Sequence, residues 1–227
     1  MHSRDAMTPA TLLERVQNAQ QVEDQRDAIA ALRQLVAEHP QDYELWNTLA
    51  QALIAVGDYH GALRAARKAI ARNGGATSGY INAGIASRKL GNITAAHRFF
   101  SQAIAQDERD PLAHLHLART AHPVGERHTA AHAYVEAIAY AAERDDIAAL
   151  AIAGLGDLQV NHPSLPAPLH ALIAAARAAS TRSWTAVRLH VQAAIAQTTD
   201  AVTRDAAFTM LSLSWRNRER TPLDRPS

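Results

Sequence analysis

Histidine is the side chain in this 227-residue sequence best suited to chemistry, and there are 12 of them. His128 and His132 stand four residues apart, a spacing that puts two imidazoles on one helical face and can seat a metal. No third ligand lies near them in sequence, so they read as exposed histidines. His114 and His116 flank Leu115, and on a helix that spacing sends the two rings to different faces, which argues against joint ligation. Cysteine is absent, which removes disulfides, thiolate metal sites, iron–sulfur clusters and a cysteine nucleophile together. No nucleophile elbow, phosphate loop, dinucleotide fingerprint or His-Glu metalloprotease motif occurs. Arg216, Arg218, Arg220 and Arg225 gather near the end, but Glu219 and Asp224 dilute them and they read as a solvated tail. With no acid–base pair to carry a reaction, the expectation is no catalytic residue, no metal and no cofactor.

The elements that would position such side chains are helices. Alanine makes up about a fifth of the chain while aromatics are 5%. Alanine has the best helix propensity and loses no side-chain entropy on burial, so the bias favours closely packed helices. Hydrophobic residues at 48% and charged residues at 20% are the balance of a globular chain. The net charge of +1 gives no global case for nucleic acid or an anionic membrane. Met1–Ala6 lacks the apolar core of a signal peptide, and no apolar run is long enough to span a bilayer. With the missing cysteines, this fits a cytoplasmic location.

A repeat sets the register. Gly57, Gly91 and Gly125 are spaced by 34 residues. In phase with them run Ala62, Ala96 and Ala130, then Ala69, Ala103 and Ala137, then Ile70, Ile104 and Ile138. One step back the phase holds through Ala28, Leu35, Val36 and Pro40, although Glu23 replaces the glycine. The units are 9–42, 43–76, 77–110 and 111–144. Each reads as helix, tight turn, helix. Trp46, Leu49, Ala50 and Leu53 form an i, i+3, i+4, i+7 stripe. Glycine can take the left-handed conformation that ends a helix, and Asp58, Asn92 and Asp24 stand where they can cap the next one, Glu126 less well. Alanine at the helix crossing lets two backbones approach.

These columns resemble the tetratricopeptide repeat pattern of Trp-x2-Leu-Gly-x2-Tyr, then Ala-x3-Phe, then Pro, at 34 residues. The second unit gives Trp46-x2-Leu49-Ala50-x2-Leu53 and Ala62-x3-Ala66; the third gives Tyr80-x2-Ala83-Gly84 and Ala96-x3-Phe100. The fourth gives His114-x2-Leu117-Ala118 and Ala130-x3-Tyr134, and the first gives Leu12-x2-Arg15-Val16, Ala28-x3-Leu32 and Pro40. The resemblance covers residues 9–144. It implies an all-α, right-handed α-solenoid with a helical C-terminal extension. His114, at the family's aromatic position, is expected to be a packed core histidine.

In that family, positions 2, 5, 6 and 9 of each first helix line a concave groove that holds an extended peptide. Here they are Glu44, Asn47, Thr48 and Gln51; Ser78, Ile81, Asn82 and Ile85; and Leu112, Leu115, His116 and Arg119, with Arg88 and Lys89 extending the surface. Amides at Asn47, Gln51 and Asn82 can donate to and accept from a peptide backbone. Ile81, Ile85 and Leu115 would supply apolar contacts, and Arg88, Lys89, His116 and Arg119 would attract an acidic segment or terminal carboxylate. The clamp by which chaperone-binding members hold a C-terminal carboxylate requires two lysines and an arginine that are missing here, and of its five positions only Asn82 matches.

After Arg144 the register fails. Helix is expected over Ile147–Leu155, a loop from Gly156 through the prolines at 163, 166 and 168, and helix again over Leu169–Ala179. Ser183 is expected to cap a helix over Trp184–Gln197, and Thr198-Thr199-Asp200 a last one ending at Trp215. Residues 145–216 thus read as degenerate repeats or a helical cap, and 217–227 as a disordered tail. The function expected is a non-enzymatic scaffold that binds a protein or peptide partner in the groove, with homo-oligomerisation open. The alternatives are the repeat portion or companion of a larger enzyme of glycosyltransferase, sulfotransferase or hydroxylase type in a GC-rich bacterium, or a self-associating assembly factor.

Overall fold

The computed structural model of the chain describes residues 8–18, 22–141, 144–158, 166–180 and 183–220. Among them are twelve α-helices and no strand. They fall into two compact units, Met1–Glu108 and Arg109–Ser227. That division lies inside the run 9–144 that the period marks as continuous.

Unit 1 contains α1 (Pro9–Asn18), α2 (Val22–Glu38), α3 (Tyr43–Ala55), α4 (Tyr59–Arg72), α5 (Thr77–Lys89) and α6 (Ile93–Gln106). Each helix packs on its hairpin partner, and the first helices α1, α3 and α5 lie side by side. Unit 2 opens with α7 (Pro111–Ala121) and α8 (Arg127–Tyr140). The first helices thus start at Tyr43, Thr77 and Pro111, and the second at Tyr59, Ile93 and Arg127, each on the 34-residue stride.

The turn chemistry follows the glycine column. Gly57, Gly91 and Gly125 take φ of 82°, 79° and 83°, the left-handed region that favours glycine. The next backbone N–H in each case, at Asp58, Asn92 and Glu126, donates to the carbonyl of Leu53, Ser87 and Ala121 at 2.9, 2.9 and 3.1 Å, closing the helix end. The Asp58 carboxylate then accepts from the Gly61 N–H at 2.8 Å and the Asn92 side chain from the Ala95 N–H at 3.0 Å, while Glu126 makes no side-chain cap. In the first repeat the structure departs from expectation. There α2 already runs from Val22, so Asp24, expected just before a helix, lies within one.

Equivalent positions have equivalent surroundings. The Trp46 indole N–H donates to the Pro40 carbonyl at 3.0 Å, and Lys68 Nζ sits 4.3 Å and the Arg72 guanidinium 5.9 Å from a Trp46 ring centroid. The Tyr80 hydroxyl lies against Gly74, the residue one stride beyond Pro40. In unit 2, His114 is buried, with Nδ1 3.1 Å from Glu136 Oε2 and its ring 5.5 Å from that of Tyr140. Glu136 and Tyr140 stand one repeat position for one with Lys68 and Arg72, so His114 is a packed histidine. Volume is also conserved at the crossings. Phe100 stands where α4 has Ala66, and facing it is Gly84, where α3 has Ala50; a Cβ on Gly84 would lie 2.4 Å from Phe100 Cε1.

Unit 2 continues with α9 (Asp145–Asp157), α10 (Ala167–Ser180), α11 (Trp184–Gln197) and α12 (Ala201–Arg220). α9 begins one stride after α7 and packs on both α7 and α8. α10 packs on α9 and α11, and α12 then returns onto α8. The enclosed core includes Ile138, Ile147, Leu155, Leu172, Val187 and Met210. Three boundaries differ from expectation. α10 begins at Ala167, so Pro168, expected in the loop, lies in its first turn, where proline is tolerated. Gly156 does not open a loop: it is the penultimate residue of α9, and a Cβ there would sit 3.2 Å from the Ala176 carbonyl carbon. The Arg177 guanidinium donates to the Gly156 and Leu158 carbonyls, tying that helix end to α10. The last helix passes Trp215 and runs to Arg220, so the tail expected from 217 is helical over its first four residues. Residues 159–165, with Pro163, and 221–227, with Asp224 and Arg225, lie outside the described residues.

Candidate peptide-binding faces of the first helices

In unit 1 the candidate face is carried by α3 and α5. Asp42 caps α3, accepting from the Glu44 and Leu45 N–H groups at 2.9 and 3.3 Å, and Trp46 anchors the opposite side of the helix. These fix the rotation of α3, and with it the direction of Asn47 and Gln51. The Asn47 amide donates to Ser78 Oγ at 2.6 Å, and the Asn82 amide reaches the Asn47 carbonyl at 3.5 Å. Both side chains are consequently buried, at 6% and 4% exposure. The expected role of Asn47 and Asn82 needs correction in this respect: their amide N–H groups tie α3 to α5. Asn47 Oδ1 is buried without a hydrogen-bond partner. Gly79 admits this approach, since a Cβ there would come within 3.0 Å of Ile70 Cγ1 and 3.6 Å of Asn47 Oδ1.

The open part of this face lies further along the helices. Gln51 is exposed, Ile85 half-buried, Arg88 half-buried and Lys89 exposed. Ile81, expected to offer an apolar contact, is buried. Because residues one stride apart share a face, Gln51 and Ile85 are counterparts on neighbouring first helices.

In unit 2 the corresponding helix is α7, capped by Asp110, which accepts from Leu112 and Ala113 N–H at 2.9 and 3.1 Å, with Pro111 opening the helix. Leu115 is 1% exposed and belongs to the core with Ile147 and Ala151, so the apolar groove contact expected of it is not available. The reason is that α9 packs on α7 and covers it. His116 is half-buried and Arg119 exposed. His128 and His132 are both exposed on α8, and among the described residues no group of three His, Cys, Asp or Glu side chains gathers to hold a metal. Near His132, Asp200 caps α12, accepting from the Thr203 N–H at 2.7 Å. Hydrogen bonds from Thr203 hold its carboxyl below the usual aspartate range, with a smaller contribution from the charge of His132.

Solved structures resemble this arrangement. MamA matches with a TM-score of 0.51 at 15% identity, over 96% of this chain and 96% of that one. A tetratricopeptide repeat protein from Parabacteroides merdae ATCC 43184 matches with a TM-score of 0.50 at 13% identity, over 93% of this chain and 86% of that one. The APC/C hetero-tetramer Cut9–Hcn1 matches with a TM-score of 0.53 at 18% identity, over 92% of this chain and 43% of that one. No family model and no curated protein sequence matches. The chain has the tetratricopeptide repeat fold: all-α, built of helix–turn–helix repeats of the solenoid type. At such identities the likeness speaks for the fold alone. Among the described residues no helix is long and apolar enough to cross a membrane.

Proposed function

We propose that the protein is a non-catalytic scaffold that binds an extended segment of a protein partner along the solvent-facing positions of its first helices. The observation that carries this is the division of labour on α3 and α5. The inter-helix bonds of Asn47 and Asn82 hold the two helices at a fixed spacing, while Gln51, Ile85 and Lys89 remain accessible on the same side. Such a surface supplies an amide for the peptide backbone, an apolar contact and a cation for a carboxylate. Its rigidity lowers the ordering cost of binding, which then falls on the peptide. His116 and Arg119 offer the same chemistry on α7 of unit 2. Cut9–Hcn1, a structural likeness, is itself an assembly of protein chains.

The test is capture with the intact chain and with a Gln51→Glu, Ile85→Arg, Lys89→Glu triple variant. Partners lost from the variant, with thermal unfolding shifted by no more than about 2 °C, support the assignment. Partners held equally by both proteins overturn it.

A further inference from the structure

A second candidate surface lies in unit 1, lined on α3 by Trp46, Leu49 and Leu53, the stripe roughly opposite Asn47 and Gln51. There α2, α3 and α4 enclose an open pocket of about 460 Å³, a volume within the usual range of ligand sites. Its lining is apolar at Val36, Leu49, Leu53 and Ala65, and cationic at Arg33, Arg64 and Lys68. All three cations are exposed. Arg33 makes only a long contact to Asp58, 3.9 Å between two well-exposed side chains, a pairing that an incoming carboxylate can replace.

The charge continues past the pocket. α4 carries Arg64, Arg67, Lys68 and Arg72 and no carboxylate, whereas α6 has Arg98 as its single Lys or Arg, and α8 balances Arg127 with Glu136. Arg64, Lys68 and Arg72 follow one another at four-residue intervals, roughly 6 Å per step on a helix. Alternate residues of an extended strand are spaced by roughly 6.6 Å. The geometry points to an extended acidic peptide, with carboxylates at alternate positions along Arg64, Lys68 and Arg72 and one bulky apolar side chain inserted in the pocket. A stacked nucleic-acid base fits less well, because Trp46 is almost buried and the Lys68 ammonium already lies over its ring. This site is independent of the α3–α5 face and goes beyond the function proposed for it.

The test uses a fluorescein-labelled decapeptide with glutamate at alternate positions and one central leucine, read by fluorescence anisotropy at low and moderate salt. Binding should weaken about tenfold in Arg64→Glu, and about tenfold in Ala37→Phe, which puts a ring into the pocket and leaves every cation in place. A peptide with serine for leucine should bind about tenfold more weakly, and the Gln51, Ile85, Lys89 triple variant should bind as the wild type does. Circular dichroism checks that each variant is folded. The proposal is overturned if the wild type does not bind, or if neither Ala37→Phe nor the serine peptide changes the affinity, which would leave charge attraction alone. It is equally overturned if octanoate or a thymidine oligonucleotide displaces the peptide at equimolar concentration, or if Arg64→Glu abolishes self-association seen by sedimentation while the peptide fails to compete.

Discussion

α4 and α8 hold the same place in their repeats, yet α4 faces solvent with a row of cations, whereas α8 keeps its polar residues to the side of His128, His132 and Glu136 and is apolar elsewhere. The contrast is sharpest one helical turn before the repeat's Ile column. Unit 1 has Arg67 and Ser101 there, both exposed, and unit 2 has Val135, 3% exposed. A helix that is polar on one side can end a layer. One that also presents Ala131 and Val135 needs a second cover, and α12 supplies it. The teaching is that the repeat period fixes which residues meet within a hairpin, while the side chains on the remaining face decide whether the fold stays open there or closes.

The largest expected effect breaks this contrast directly. Val135→Asp should destabilise unit 2 by about 3 kcal/mol or more, since it buries a carboxyl under α12, whereas Arg67→Asp at the same repeat position should stay within about 0.5 kcal/mol. Urea titrations followed by circular dichroism compare them, and equal costs would mean that α12 does not cover α8. Gly84→Ala and Gly154→Ala mark where the units agree. Each new Cβ would run into an aromatic ring, 2.4 Å from Phe100 Cε1 and 2.3 Å from Tyr134 Cζ. Each should cost about 1–3 kcal/mol in the same titration.

Asp200→Ala removes the cap of α12, with an expected loss of about 1 kcal/mol at neutral pH. The folded carboxyl titrates below its unfolded value, so its contribution is present above the unfolded pKa and disappears as pH falls through the lowered one. The gap between wild type and variant should therefore narrow in acid; a gap that widens would assign the stabilisation to another group. Smallest of all, Gln51→Ala and Lys89→Ala should change stability by less than about 0.5 kcal/mol, as suits residues left open for a partner.

The hairpins of 43–140 were legible from residue types alone, because glycine at positive φ and alanine at a crossing are local requirements of the backbone. The same holds for α11, whose Trp184–Gln197 span matches the expected one. Groove depth was not legible. Periodicity puts Asn47, Asn82 and Leu115 among the groove positions of their repeats, but Asn47 and Asn82 are taken up between α3 and α5 and Leu115 lies under α9, which only the packed structure shows. The return of α12 onto α8 was hidden for a related reason. It depends on contacts far apart in sequence, although the apolar residues Ala131 and Val135 outside the Ala130–Ala137 stripe were a signal. The acid-free run of cations on α4 was likewise present in the sequence without its apolar pocket, which needs three helices to form.

Because the chain has no cysteine, single thiols can be read without background. Arg67→Cys, Ser101→Cys and Val135→Cys place one thiol at the same repeat position in three successive hairpins, and their labelling by a disulfide reagent under native conditions measures whether each face is open. The first two should react close to the rate of a free thiol and the third at least about a hundredfold more slowly, because it waits for α12 to open. Three similar rates would contradict the closure of unit 2 over α8.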